Sequence, residues 1–419
     1  MSETYSMPHL LLVLAALLVT AKLLGALAQR LGQPAVLGEL VAGVLLGGSV
    51  LGLLDPADPV IRALAELGVI VLLFEIGLNT DLRSMTRVLG TATTVAIVGV
   101  VLPLGLGYAA GVGILGLDSI PALVCAAALT ATSVGISARV LSDIGQLQSR
   151  EGQVVLGAAV LDDIVGLIVL AAVTGVVTGG SWSVGGVVLT TVISIGFIVV
   201  ALTAGRILTK PIFRSVEAIR TPGTLAALAL AFALLLSSLA ARSGSAMILG
   251  AFTAGLILNT APGRAEIDRA TTAIGHFLVP VFFASVGAAV TLSAFTETST
   301  LAVAALLIAV GVVGKFVAAY APWWFQGNKP LIGVAMIPRG EVGLIFAQMG
   351  LATRAISPSL FSALTLMVLV TTFLAPPVLA RVGRGYKKRP VQDNSGIDDL
   401  VAGDWKEPSG PVPEAGTTE

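Results

Sequence analysis

The chain has 419 residues, 56% of them hydrophobic and only 11% charged, with a mean hydropathy of +0.97. That much apolar surface exceeds what any water-soluble core requires, so soluble enzymes and soluble binding modules are excluded and a polytopic membrane protein is expected. Charge balances at 24 basic against 24 acidic residues, which offers no basic field for nucleic acid, and the single Cys125 excludes an intrachain disulfide.

Apolar runs of roughly 18 to 25 residues recur along the chain, each long enough to cross about 30 Å of hydrocarbon at 1.5 Å per residue. About thirteen spans are predicted, at residues 8–27, 34–53, 61–79, 88–114, 119–142, 152–177, 184–208, 222–241, 245–260, 270–293, 299–322, 330–352 and 357–380. The first run has no basic residues ahead of it and no cleavage site behind it, so it reads as a retained span and the mature chain as starting near Met1.

An odd number of spans puts the termini on opposite sides, and the basic residues sort accordingly. Arg30, Arg83, Arg87, Arg150, Arg206, Lys210, Arg214, Arg220, Arg264, Arg269, Lys329, Arg381, Arg384, Lys387, Lys388 and Arg389 share one side, and Arg62, Arg242 and Arg354 share the other. Cytoplasmic loops collect Lys and Arg, so the N-terminus is expected outside and the C-terminus in the cytoplasm. Residues 386–419 lose apolar periodicity and become acidic and rich in Pro and Gly, as a flexible cytoplasmic tail would; some thirty residues are too few for a regulatory domain.

Six spans before the seventh and six after it face opposite ways, the inverted-repeat plan of secondary transporters. The fifth span carries "LTATSVGIS" and the twelfth "MIPRGEVGL", so both place Gly, Pro or hydroxyl residues at membrane depth. Interrupted helices persist in a bilayer only where the freed backbone groups face protein, water or ions, which points to a substrate site between the two interruptions.

Five charges fall well inside spans: Asp162, Asp163, Lys315, Arg339 and Glu341; Lys22, Glu39, Glu66 and Glu75 lie nearer span ends. A charge at a helix centre costs about 2.5 to 3.5 kcal/mol even on the insertion scale, so each needs a partner or a task. Pairing Lys315 and Arg339 with one carboxylate each leaves a third to bind a cation or a proton. Asp162 and Asp163, in "VLDDIVGLIVL", lie near the midplane, and neighbouring helix positions are about 100° apart, so they must divide the labour. One pairs with Lys315 while the other faces a cavity; two adjacent carboxylates in a low dielectric also bring proton uptake toward neutral pH. Carboxylate, hydroxyl and carbonyl oxygens suit a hard alkali cation.

Thr130, Thr132 and Ser133 either line that cavity or bond to the preceding turn's carbonyls. Arg339 and Glu341 read as a brace at the helix break, and Lys315 can be a purely structural partner. Glu66 is placed to pair with Arg62 four residues before it, Glu39 and Glu75 read as interfacial or funnel-lining, and His9 and His276 sit near span ends.

In this order, "GELVAGVLLGGSVLG" (38–52), "LLFEIGLNTDL" (72–82), "TATSVGISARVLSDIG" (130–145), "VLDDIVGLIVL" (160–170), "FFASVGAAV" (282–290), "GVVGKF" (311–316) and "PRGEVGLIFAQMG" (338–350) resemble the monovalent cation:proton antiporter-2 family, over nearly all of residues 8–385. The likeness is to the branch that includes bacterial sodium/proton antiporters with paired aspartates. The resemblance implies an all-α fold of two inverted six-helix repeats with crossed broken helices. It also implies Asp163 as the ion-binding carboxylate, with sodium or lithium as cargo, and Asp162 as the partner of Lys315. It further implies exchange of one sodium for two protons, a homodimer in the plasma membrane, and an elevator movement. A dimerisation part (8–79 and 222–293), a core part (88–177 and 299–380) and a linker helix (184–208) are expected, with no cofactor, no enzymatic activity and lipid as the surrounding partner. Potassium-efflux relatives usually carry Gln-Asp and a large nucleotide-binding domain; this chain has Asp-Asp and a short tail, so potassium/proton exchange is the secondary expectation. A pH-gated cation channel fits the inverted broken helices less well, and an organic-anion symporter fits the paired aspartates and Lys315 less well.

Overall fold

The computed structural model describes residues 6–177, 192–193, 196–205, 207, 209, 223–243, 246–290 and 297–384. The expected tail, residues 184–191, 194–195, 206 and 208 of the linker helix, and the basic loop at 210–220 lie outside these residues. Apart from turns, short extended segments and one isolated bridge between Gly47 and Leu54, the described residues are helical: α1 (Met7–Arg30), α2 (Ala35–Leu46), α3 (Pro59–Leu78), α4 (Leu82–Arg87), α5 (Leu89–Gly113), α6 (Ser119–Ala128), α7 (Val134–Asp143), α8 (Arg150–Val177), α9 (Gly196–Gly205), α10 (Thr224–Arg242), α11 (Met247–Leu258), α12 (Arg264–Ala288), α13 (Thr298–Ala318), α14 (Lys329–Ala335), α15 (Glu341–Ala352) and α16 (Pro358–Arg384).

Among the described residues, seven helices are long and apolar enough to cross a membrane: α1, α5, α8, α10, α12, α13 and α16. The predicted spans at 119–142 and 330–352 are each two short helices, α6 with α7 and α14 with α15, separated by extended backbone. Local chemistry sets several starts. Asp58 caps α3, its Oδ1 accepting from the amides of Val60 and Ile61, with Pro59 in the first turn where no N–H is needed. Asn328 caps α14 in the same way, through the amide of Leu331.

The helices pack in two groups. α1, α2, α3, α10, α11 and α12 form one; α5, α6, α8, α13, α14, α15 and α16 form the other, with α7 packed on α8 and α16 and also on α2 and α3. Close approach in the first group depends on missing side chains. A Cβ at Gly43 would overlap the carbonyl of Ala284, and one at Gly255 the carbonyl of Phe74, so dispersion contacts between backbones replace side-chain packing.

Two faces can be followed through the bundle. On the Arg30 face, Asn79 Nδ2 donates to Asp268 Oδ1 at 2.9 Å, Arg264 donates to Asn79 Oδ1 at 3.1 Å, and Asn259 Nδ2 donates to the Leu78 carbonyl at 2.7 Å. On the Met7 face, Ser49 Oγ donates to the Val290 carbonyl at 2.5 Å. Arg62 and Glu66, on the same face, form the expected i to i+4 pair at 3.1 Å. Chain order then makes the interrupted spans run in opposite senses, α6 and α7 toward the Arg30 face and α14 and α15 away from it.

Candidate functional site

Each interruption strands backbone groups at mid-bundle: the last carbonyls of α6 and α14, and the first amides of α7 and α15. The two extended segments cross and satisfy one another. The Ser133 amide donates to the Pro338 carbonyl at 2.8 Å, Thr132 Oγ1 to the Met336 carbonyl at 3.3 Å, and Ser137 Oγ to the Ala335 carbonyl at 2.5 Å. Gly340 permits the crossing, since a Cβ there would stand 2.9 Å from the Ser133 side chain.

Arg339, wholly buried, completes the pairing. Its Nη1 donates to the carbonyls of Ala131 and Met336 at 3.3 Å each, and its Nη2 to the Gly311 carbonyl at 3.0 Å. Thr372 Oγ1 donates to the Arg339 carbonyl at 2.5 Å. The guanidinium is thus placed against the C-terminal ends of α6 and α14, where helix dipoles leave partial negative charge. The expected brace is built from backbone carbonyls; Glu341 begins α15, and its side chain lies outside the described residues.

α8 delivers the two aspartates. Lys315 of α13, wholly buried, lays its ammonium between the Asp162 oxygens, with Nζ 3.0 Å from Oδ1 and 2.9 Å from Oδ2. Gly99 of α5 leaves room for it: a Cβ there would meet Nζ at 3.4 Å. Asp163, one residue on and rotated by about 100°, instead faces a cavity of about 100 Å³. Thr132, Ser133, Val134 and Gly135 line that cavity at the start of α7, as do Gly340, Val342 and Leu344 at the start of α15. The N-terminal ends of both half-helices therefore share a cavity with one buried carboxylate, and their dipoles place partial positive charge on its walls. At about 10 to 15 Å³ of such volume per water, there is room for a partly hydrated small cation.

Of the predicted site residues, Asp163, Thr132 and Ser133 meet at the cavity. Asp162 and Lys315 meet each other beside it. Thr130 is not among the lining residues; its hydroxyl donates to the Ala127 carbonyl at 2.7 Å, the local alternative for such a side chain. The cavity's other wall comes from the first helix group: Val69 of α3, Ile248 of α11, and Phe282, Val286 and Ala289 at the end of α12. No site role was assigned to these side chains from sequence, although 282–290 lies in a quoted motif, because apolar residues in an apolar span carry no signal of facing a cavity. Ile248, Val286 and Ala289 belong to helix ends on the Met7 face, so the cavity extends from Asp163 toward that face.

Comparison with known proteins places the chain as a whole. The family described as "Sodium/hydrogen exchanger, transmembrane" matches residues 13–384. The high-affinity Na⁺/H⁺ antiporter NhaS3 of a Synechocystis species is 41% identical over 417 residues, covering 90% of each chain. The Na⁺/H⁺-K⁺ antiporter GerN of Bacillus cereus is 32% identical, covering 87% of this chain and 94% of that one. Among solved structures, the sodium proton antiporter MjNhaP1 of Methanocaldococcus jannaschii superposes with a TM-score of 0.66 at 18% identity, over 90% of this chain and 98% of the other, a likeness of fold.

Proposed function

The chain belongs to the transmembrane sodium/hydrogen exchanger family and is a multi-pass membrane antiporter of sodium and protons; from that premise we propose that Asp163 is the carboxylate at which the two cations alternate. One observation carries this reading: of two adjacent buried aspartates, Asp162 is held by Lys315 while Asp163 lines the cavity with Thr132 and Ser133. A carboxylate, two hydroxyls and the carbonyls of interrupted helices supply hard oxygen ligands for sodium or lithium. Protonation of Asp163 removes the charge that holds the cation, so a site that accepts either but not both couples their movements.

The Arg30 face is the cytoplasm in this proposal, on the strength of the basic-residue asymmetry, so the cavity here opens outward. The second helix group, carrying Asp162, Asp163 and both interrupted spans, moves as the core against the first, as in an elevator, and the first group carries the homodimer contact. Sodium binding at Asp163 from the cytoplasm displaces Lys315 from Asp162; re-formation of that pair on the outer side resets the carrier. Two protons for one sodium moves one net charge per cycle, worth about 2.3 kcal/mol per 100 mV.

Potassium is the secondary cargo, since the name of the relative GerN includes it. The test is reconstitution in liposomes with an acidic lumen, a trapped pH dye and clamped potential, adding sodium, lithium, potassium or choline outside. Sodium- or lithium-dependent proton efflux in the native protein, absent in a folded Asp163→Asn variant, is expected. Full exchange by that variant would sink the assignment.

A further inference from the structure

Below the ion cavity, toward the Arg30 face, α7 carries a charged pair. Arg139 Nε stands 3.2 Å from Asp143 Oδ1, four residues on along the same helix, so the guanidinium is anchored to the second helix group. Its field also reaches two carboxylates of the first group, Glu39 of α2 and Glu75 of α3. Arg139 and Glu75 line one vestibule of about 310 Å³, together with Asn79, Ser142 and Gln148.

Within their own helix group, Glu75 is faced by a hydroxyl and Glu39 by a lysine. Glu75 Oε1 accepts from Thr272 Oγ1 at 3.0 Å, and the remaining charges facing it are Asp268 and His276 of α12. Glu39 is 2% exposed, and its Oε2 accepts no hydrogen bond from any described residue; Lys22 of α1 and Asp143 are the other charges facing it. Arg139 therefore supplies a cation from one helix group to carboxylates of the other.

Between this vestibule and the ion cavity lies a thin apolar layer. Val69 and Ile136 line the cavity, and Leu72, Glu75 and Arg139 line the vestibule, one helical turn further along α3 and α7. At Gly135 a Cβ would meet Phe282, Leu72 and Val69 at 3.6 to 3.8 Å, so the layer is packed here. Sliding of α7 past α3 would carry Asp163 across it and would also carry Arg139 away from its present partners.

We propose that Arg139 is a positioning residue for the antiport cycle: its attraction for Glu75 across the shared vestibule, and for Glu39 beside it, holds the core in the conformation seen here, closed toward the Arg30 face, and is lost when the core moves. The inference rests on the reading that the second helix group moves against the first. It assigns Arg139 no contact with the transported ion. Its effect is on the balance between the two access states, and through that balance on the sodium concentration that half-saturates transport from the Arg30 face.

The test measures that balance directly. Spin labels at Leu51→Cys and Ala352→Cys, exposed positions on the Met7 face of the two groups, report their separation in the full chain, diluted with unlabelled protein in liposomes; Cys125 is buried. Arg139→Gln is expected to change the ratio of the two distance populations by at least about threefold. Glu39→Gln and Glu75→Gln shift it in the same direction, and the exchanged pair Arg139→Glu with Glu39→Arg returns it toward the native ratio. The two glutamine variants at the glutamates keep the test alive if Arg139→Gln does not fold. Identical distance populations in the native protein and all folded variants would overturn the proposal. Sodium-driven proton flux in the same liposomes is read separately: its absence from the native protein counts against Asp163 exchange and leaves the distance result to judge Arg139.

Discussion

Lys315→Met separates a structural ion pair from a working one. The ammonium donates to both oxygens of Asp162 at 2.9 and 3.0 Å, and both side chains are wholly enclosed. Removing one partner of a buried pair costs about 3 to 5 kcal/mol, because the carboxylate left behind is neither solvated nor neutralised, whereas replacing both by neutral groups is close to neutral. Lys315→Met alone should therefore lose about 3 to 5 kcal/mol, and Asp162→Asn with Lys315→Met should recover most of it. Thermal unfolding of the four proteins of this cycle in detergent measures the coupling. If release of Lys315 from Asp162 contributes a proton to each cycle, the single variant should also exchange with little response to a clamped membrane potential, where the native protein gains about 2.3 kcal/mol per 100 mV. Additive losses, within about 0.5 kcal/mol, would show that the two groups do not depend on each other. Unchanged voltage dependence would remove Lys315 from the coupling.

Arg339→Lys keeps the charge but replaces a planar fork bonded to three carbonyls; with at least one buried carbonyl left unpaired, a loss of about 1 to 3 kcal/mol is expected in the same unfolding assay. Thr132→Val should raise the half-saturating sodium concentration about tenfold, equivalent to one lost ligand worth about 1.4 kcal/mol. Thr130→Val, whose hydroxyl is bonded to Ala127, should leave it within about twofold; equal effects of the two would contradict the lining described here. Gly340→Ala pushes a methyl to within 2.9 Å of Ser133, and a misplacement of this kind should slow maximal sodium-dependent proton flux by about tenfold or more in folded protein.

Much of this site was legible because a bilayer penalises charge and broken backbone so heavily. Asp162, Asp163, Lys315 and Arg339 stand out in apolar spans for that reason alone, and the paired interruptions stand out because Pro338, Gly340 and the Thr130 to Ser133 hydroxyls weaken helices where no water can compensate. The hydroxyls were harder to sort. Thr130 and Thr132 are two residues apart in the same irregular stretch, and only the path of the backbone turns one to Ala127 and the other to Met336 and the cavity. The apolar wall from Val69, Ile248, Phe282 and Val286 was not legible, because burial against protein and exposure to a small cavity leave the same residue types. Arg139 was passed over for a related reason: it reads as an ordinary basic residue near the end of a span, and its proximity to Glu39 and Glu75 arises from packing between distant segments.

Among the described residues, the two wholly buried cations, Arg339 and Lys315, differ in what they hold, and that difference bears on which of them can take part in exchange. Arg339 is bonded to the carbonyls of Ala131 and Met336 beside the interruptions and of Gly311 within α13, groups whose partial charge does not change with pH or cargo. A guanidinium in that position is also unable to give up its proton at accessible pH, so it serves as a constant counter-charge that makes the crossing tolerable in hydrocarbon. Lys315 is bonded to a carboxylate whose neighbour, in the proposed cycle, alternates between proton and sodium, and an amine can release its proton when its partner's demand weakens. A change of charge on Asp163 thus alters the field at the Asp162 to Lys315 pair while leaving the Arg339 contacts unaltered. The crossing can stay rigid while the pair beside it responds, as exchange at a single cavity requires.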